Sequence, residues 1–161
     1  MNLKVRCWLL SLALVGTLIL TACGGGGGGG PAGGGGGLAA NLNLGSDGEQ
    51  LKFSPATLTA KAGSQVTVTF KNNSASQQHN WVLVKGGDDV AKKVDDEGAT
   101  AGVSKGYIPD DAANIVSNVK LLNGGESGTT TFPAPPPGTY TFLCTFPGHF
   151  AAGMKGTFTA N

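Results

Sequence analysis

The chain has 161 residues, of which 7% are aromatic and 13% charged, enough for one domain with appendages and too few for two full cores. Its formal net charge is +1, and it becomes −1 without Lys4 and Arg6, because nine basic residues then face ten acidic ones. This balance gives no basic footprint, so we expect no nucleic-acid partner.

Residues 1–22 have the pattern of a signal peptide. A short basic head is followed by the apolar run CWLLSLALVGTLIL, which is too short for a comfortable transmembrane helix. The run ends in LTAC, which resembles a bacterial lipobox, in which the cysteine, here Cys23, is lipidated and becomes the first mature residue. The alternative is an ordinary cleavage site after Ala22, with Cys23 incidental.

A glycine-rich linker follows the cysteine. Residues 24–37 hold twelve of the 28 glycines, so we assign residues 23–41 to a lipid-anchored N-terminus and linker. A flexible chain of about 14 residues has a root-mean-square span of roughly 20 Å and reaches at most about 50 Å. The sequence therefore predicts a domain tethered to the outer, extracytoplasmic or periplasmic, face of the cell membrane.

Residues 42–161 have the pattern of an all-β domain. SQVTVTF at positions 64–70 alternates apolar and polar residues, and two short strand-like pieces lie before it, around Pro55. HNWVLV, GTTTF, GTYTFLC and KGTFTAN supply further strands, separated by glycine and proline turns. This spacing predicts an antiparallel β-sandwich of Greek-key type.

The segment between Gly86 and Gly125 lacks strand periodicity. It is polar and holds seven acidic residues, and we interpret it as an excursion with one short helix. Its carboxylates are more typical of a solvated face than of a site.

Metal-binding side chains are scarce and unevenly placed. Apart from Cys23, the mature chain has one cysteine, Cys144, and its histidines are His79 and His149. Its single methionine is Met154. A lone thiol cannot form an intradomain disulfide, and in an oxidising compartment it is a liability unless it is buried or bound to metal.

Taken singly, each of these residues has a structural explanation, such as core packing or surface exposure. Together, two histidines, one cysteine and one methionine form the ligand set of a blue copper site, with a trigonal plane and a long axial methionine. Cys144, His149 and Met154 lie within eleven residues, so one loop can present three ligands. We predict one copper ion per chain, bound by His79, Cys144, His149 and Met154.

Several motifs resemble the auracyanins, azurin-like blue copper proteins of filamentous anoxygenic phototrophs. They are QHNWVLVKGGDDV, NGGESGTTTF, PGTY and CTFPGHFAAGMKGT, and the resemblance covers residues 42–161. It implies a cupredoxin-like Greek-key β-sandwich and the same copper ligands. Four residues separate His149 from Met154, where azurin has three, and the disulfide typical of azurin is absent. Gln78 stands where azurin has a glycine, which leaves open a fifth contact from its carbonyl.

Four protein ligands leave no open position for a substrate, so we predict an electron carrier and not an enzyme. Asn80 and Thr145, next to ligands, are expected to hydrogen-bond the copper loop to the His79 strand. The apolar residues around His149 suit brief docking to a redox partner, although packing within the loop would also explain them.

The resemblance implies a monomer that shuttles electrons from a quinol-oxidising complex to a reaction-centre cytochrome, of c type, or to another respiratory acceptor. The alternative from another class is a lipoprotein that stores or delivers copper. One thiolate with two imidazoles favours the carrier, because delivery proteins tend to use exposed methionine- or histidine-rich runs. A purely structural adhesion sandwich would leave Cys144 unexplained.

Overall fold

The computed structural model describes residues 39–161, which form two β-sheets and one helix. The predicted signal peptide and most of the predicted linker lie outside the described residues. The nine strands are β1 (Ala40–Asp47), β2 (Gln50–Ser54), β3 (Thr57–Ala60), β4 (Gln65–Lys71), β5 (His79–Val84), β6 (Ile115–Leu122), β7 (Ser127–Pro133), β8 (Gly138–Leu143) and β9 (Lys155–Ala160). The helix α1 is Asp88–Ala101, followed by a short 3-10 turn at Val103–Lys105.

The strands form a sandwich in which the order of the first sheet is β2-β1-β4-β7 and that of the second is β3-β9-β8-β5-β6. The predicted β-sandwich is thereby confirmed, but not every strand pair is antiparallel. β1 pairs with β4 in parallel, and so does β3 with β9. Both parallel pairs join strands that are distant in the sequence, and turn spacing alone carries no information about such pairs.

Strand β4 shows how alternation builds the core. Val66, Val68 and Phe70 are fully buried between the sheets, as their period of two predicts. Thr67 and Thr69 face outward, where their hydroxyls lie within hydrogen-bond distance of threonine hydroxyls on β7. Strand β4 therefore has one core face and one polar face.

Aromatic rings from both sheets fill the space between them. The Phe53 ring lies edge-on to those of Phe70 and Phe142, with centroids 5.6 and 5.3 Å away. The Trp81 centroid is 5.8 Å from that of Phe142. These contacts tie β2 and β4 of one sheet to β5 and β8 of the other.

The helix explains why β5 is buried along its whole length. All six residues of His79–Val84 are buried, because one face meets the aromatic core and the other is covered by α1. Ala91 and Val94 of α1 pack on Val82 and Val84, while the acidic residues of the helix remain exposed or half-buried. The expected helix is therefore confirmed, and its acids form a solvated face.

The excursion also contains a strand that the pattern did not predict. Strand β6 lies at the edge of its sheet, and only Val119 and Leu122 in it are buried. Its ladder with β5 is interrupted by two register shifts. An edge strand with irregular pairing lacks the alternation from which strands are predicted.

Gly156 gives a test of how closely β9 packs against Phe142 of the neighbouring strand β8 and against the backbone just before β3. A Cβ added there would lie 2.2 Å from Phe142 Cζ and 2.5 Å from the backbone oxygen of Ala56. We expect Gly156→Ala to lower the free energy of unfolding by about 1–3 kcal/mol in chemical denaturation, because neither neighbour can move freely. Gly138→Ala is the matched control, since this exposed glycine begins the neighbouring strand β8 and its nearest contact would be an ordinary 3.4 Å, and it should change stability by less than about 0.5 kcal/mol. Equal stability of the two variants would contradict this account of the packing.

Candidate metal centre

Three of the four predicted ligands meet at one end of the sandwich. His79 is the first residue of β5, Cys144 directly follows β8, and His149 lies in the loop between β8 and β9. One ligand atom from each can be chosen so that all three lie within 4.8 Å of one another. The three residues are buried, and only His149 retains measurable exposure, at 7%.

The three atoms form a triangle that suits a metal ion. The two Nδ1 atoms, of His79 and His149, are 3.1 Å apart, and the Cys144 Sγ lies 3.9 and 3.5 Å from them. A point equidistant from all three atoms lies about 2.0 Å from each, close to typical metal–nitrogen and metal–sulfur bond lengths of about 2.0–2.3 Å. The donor set of two imidazoles and one thiol suits a transition metal with an affinity for nitrogen and sulfur.

Met154 belongs to the same loop by its backbone. It is fully buried; its N–H donates to the carbonyl of His149 at 2.9 Å, and its carbonyl accepts from the N–H of Cys144 at 3.1 Å. Gly148 and Gly153 lie at φ of 83° and 100°, a region that favours glycine, and they let the loop close in tight turns. These two hydrogen bonds hold the backbone of Met154 beside those of Cys144 and His149.

Asn80 and Thr145 join the two segments that carry the cluster. The Thr145 N–H donates to Asn80 Oδ1, and Asn80 Nδ2 donates to Thr145 Oγ1, each at 2.8 Å. Both side chains are fully buried. The predicted link between the loop and the His79 strand is confirmed, and it fixes Cys144 relative to β5.

Sequence reasoning missed a third segment that supports this link. Asn80 Nδ2 also donates to the carbonyl of Gly106 at 2.9 Å, and Thr145 Oγ1 donates to that of Tyr107 at 2.6 Å. A Cβ at Gly98 in α1 would lie 2.4 Å from the Tyr107 oxygen, so the helix approaches there through a glycine. Tyr107 has a φ of 59°, which is uncommon outside glycine. The sequence signal available for this contact was Gly98, a glycine inside a helical pattern.

Burial sets the protonation states of the cluster. It lowers the pKa of His79 to about 4, with a contribution from neighbouring His149, and it also lowers the pKa of His149. Both imidazoles are therefore neutral near pH 7 and have a nitrogen lone pair free to bind a cation. Burial raises the pKa of the Cys144 thiol to about 12, so the thiol keeps its proton until a metal displaces it.

The surface above His149 is built from residues without charged side chains, although Lys155 Nζ lies 5.8 Å from the centroid of the Phe150 ring. The Phe146 ring lies 4.6 Å from the His149 ring, centroid to centroid, and Phe150 is also half-buried. Pro147, Ala151 and Ala152 are exposed around them. The residues around His149 thus form a patch with the imidazole just beneath it, which we call the His149 patch (residues 146–153).

Within residues 39–161 no helix combines the length and apolarity needed to cross a membrane.

Comparison with known proteins points to one family. The family described as copper binding proteins, plastocyanin/azurin family, matches residues 40–161. Auracyanin-A of Chloroflexus aurantiacus is 44% identical over 163 aligned positions, which cover 100% of both chains.

Two solved structures have the same architecture. A reduced auracyanin from Roseiflexus castenholzii is 50% identical with a TM-score of 0.74, covering 76% of this chain and 97% of that one. Auracyanin A of Chloroflexus aurantiacus, described as a "blue" copper protein, is 45% identical with a TM-score of 0.74, covering 77% of this chain and 100% of its own.

Proposed function

Because the chain belongs to the plastocyanin/azurin family of copper-binding proteins, we propose that it is a blue copper electron carrier with one ion in the cluster described above. The cofactor is copper. The proposed ligands are His79, Cys144, His149 and Met154. The observation that carries the proposal is the triangle of buried donor atoms, whose size suits one copper ion.

Each residue of the cluster has its own task. Copper, when bound, takes up or gives off one electron as Cu(II) or Cu(I). Cys144 would give up its proton and bind as a thiolate, the strongest donor of the set. His79 and His149 would bind through the neutral Nδ1 atoms that already face each other at 3.1 Å. Met154, whose thioether is a weak donor, would supply the fourth and weakest contact.

The environment of the cluster favours electron transfer over catalysis. Four ligands leave no open coordination position, and all four residues are buried. Ligands on one loop and one strand, joined by Asn80 and Thr145, resist rearrangement when the charge on the metal changes. The chain is therefore an electron carrier and not an enzyme.

We propose that redox proteins dock on the His149 patch. A largely apolar surface over a ligand imidazole would bring a partner close to the metal with few ion pairs to slow its release. The partners that the family resemblance favours are a quinol-oxidising complex as donor and a c-type cytochrome as acceptor.

We also propose that a lipid on Cys23 holds the domain at the outer face of the cell membrane. The LTAC motif after an apolar run supports this, and 16 residues separate Cys23 from the first strand. Ala40 pairs with Val66 near the start of β4, whereas the segment that leads to His79 leaves the other end of β4. The described chain therefore begins near the end of β4 opposite to the one that leads to His79.

Cys144→Ser tests the metal site. Wild-type protein should bind one copper per chain and, when oxidised, show an intense thiolate-to-copper absorption band in the visible spectrum. The variant should lose that band because its hydroxyl is a poor soft donor. Cys23→Ala removes a cysteine outside the site and should keep the absorption band. A band retained by Cys144→Ser would disprove the ligand assignment, and release of copper on each reduction would favour a storage or delivery role.

Met154→Leu tests the axial role. It keeps the volume approximately but removes the sulfur, and since Cu(II) needs an axial donor more than Cu(I) does, the reduction potential should rise. Met154→Gln offers a harder oxygen donor and should lower it. A differential of about 1.4 kcal/mol between the two oxidation states corresponds to about 59 mV, which voltammetry resolves. Both variants should retain copper, and an unchanged potential in Met154→Leu would make Met154 a packing residue.

Cys23→Ala tests the anchor. Lipidation needs the cysteine thiol, so the variant should lose the acyl mass and accumulate as unprocessed precursor or as soluble protein. Mass spectrometry and membrane fractionation measure the two effects. An acylated variant that remains in the membrane fraction would contradict the proposal.

A further inference from the structure

The loop that delivers His79 is held from outside by another part of the chain. Residues 72–78 connect β4 of one sheet to β5 of the other, and His79 follows them directly. This loop lies against the turn between β1 and β2, more than 20 residues earlier in the sequence. The position of a ligand thus depends on a contact that is local in space and distant in sequence.

One carboxylate makes most of that contact. Glu49 Oε1 accepts from the N–H of Ala75 at 2.5 Å, and its Oε2 accepts from the hydroxyls of Ser74 and Ser76 at 2.9 and 2.7 Å. The backbone carbonyl of Glu49 also accepts from Gln77 Nε2 at 3.0 Å. Four consecutive residues of the loop are therefore bound to one residue of the β1–β2 turn.

The inner side of the loop is held by a buried amide. Asn72 is fully buried, and its Nδ2 donates to the carbonyls of Gln77 at 2.7 Å and Leu122 at 3.1 Å. Leu122 is the residue of β6 that pairs with His79. Asn72 thus ties the two ends of the loop to the strand beside the ligand.

Ser46 of β1 holds the next residue of the loop. The Asn73 N–H donates to Ser46 Oγ at 2.8 Å, and Asn73 Nδ2 donates to the carbonyl of Ser46 at 2.9 Å. Within residues 39–161, the hydrogen bonds that residues 74–77 make outside the loop all go to Glu49.

We propose that Glu49 is a positioning residue for the metal centre: by holding residues 74–77 against the β1–β2 turn, it fixes the position of His79 relative to the copper ion. The proposal rests on the ligand role of His79 proposed above. The Nε2 of the buried His79 imidazole has no hydrogen-bond partner in the described part of the chain. No hydrogen bond at this nitrogen therefore orients the ring. Its orientation then depends on the backbone that carries it.

The chemistry of the carboxylate fits a permanent fastening. The Ala75 N–H and the serine hydroxyls hold the pKa of Glu49 at about 2, so it stays ionised throughout the neutral range. Hydrogen bonds to an ionised acceptor are shorter and stronger than neutral ones. The fixed negative charge also favours Cu(II) over Cu(I), because it stabilises the ion of higher charge.

The test compares Glu49→Gln with Asp47→Asn in the full, copper-loaded chain. Asp47 is the matched control: it is the last residue of β1, next to the same turn, and is exposed, and its side chain makes no hydrogen bond or ion pair within residues 39–161. Each variant removes one negative charge, but only Glu49→Gln places an amide where the loop needs an acceptor. We expect Glu49→Gln to shift the visible band and Asp47→Asn to leave it unchanged, while both variants raise the reduction potential by removing a negative charge.

Hydrogen exchange in the copper-free chain gives an independent measurement. The amides of residues 75–79 should exchange faster in Glu49→Gln than in wild type. Their exchange rates should be the same in Asp47→Asn as in wild type. Should Glu49→Gln fail to fold, Ser76→Ala removes one donor and keeps the charge, with exposed Ser104→Ala as its control. Ser76→Ala should then change band, potential and exchange, and Ser104→Ala none of them.

Two outcomes separate this inference from the function it rests on. If wild type shows the copper band and Glu49→Gln matches Asp47→Asn in band and exchange, Glu49 has no positioning role and the metal site stands. If wild type shows no copper band, the proposed function is wrong, and the exchange measurement alone decides whether Glu49 fastens the loop.

Discussion

The candidate metal centre depends on one constraint: the proposed ligands, which are distant in the sequence, must be held close together. Asn80 and Thr145 meet this constraint with two reciprocal hydrogen bonds of 2.8 Å inside a fully buried environment. A buried polar group without a partner is costly, so each residue stabilises the position of the other. Because each follows a ligand directly, the same pair fixes the distance between the His79 strand and the copper loop.

The rest of the sandwich can be understood as support for that pair. The aromatic core keeps the two sheets in register, and α1 covers β5, so the strand that begins at His79 is buried on both faces. The helix then leads to Gly106 and Tyr107, whose carbonyls accept the remaining hydrogens of Asn80 and Thr145. A segment without ligands of its own thereby stabilises the site.

Burial and access are balanced at the same end of the molecule. The apolar surroundings keep both imidazoles neutral and the thiol protonated, so the cluster is ready for a cation but does not carry a charge by itself. His149 alone reaches towards the surface, beneath the apolar His149 patch. An electron can therefore leave near one imidazole edge while the metal stays shielded from water.

Composition by itself predicted that His79, Cys144 and His149 meet in one cluster, because the mature chain holds two histidines and, apart from Cys23, one cysteine. Spacing determined the strands with strict alternation, such as β4, since side-chain period is a local property. Only the tertiary structure decided the parallel pairs, the edge strand β6 and the roles of Gly98, Tyr107 and Glu49. These features depend on contacts between segments that are distant in the chain, and no local pattern encodes which segments will meet.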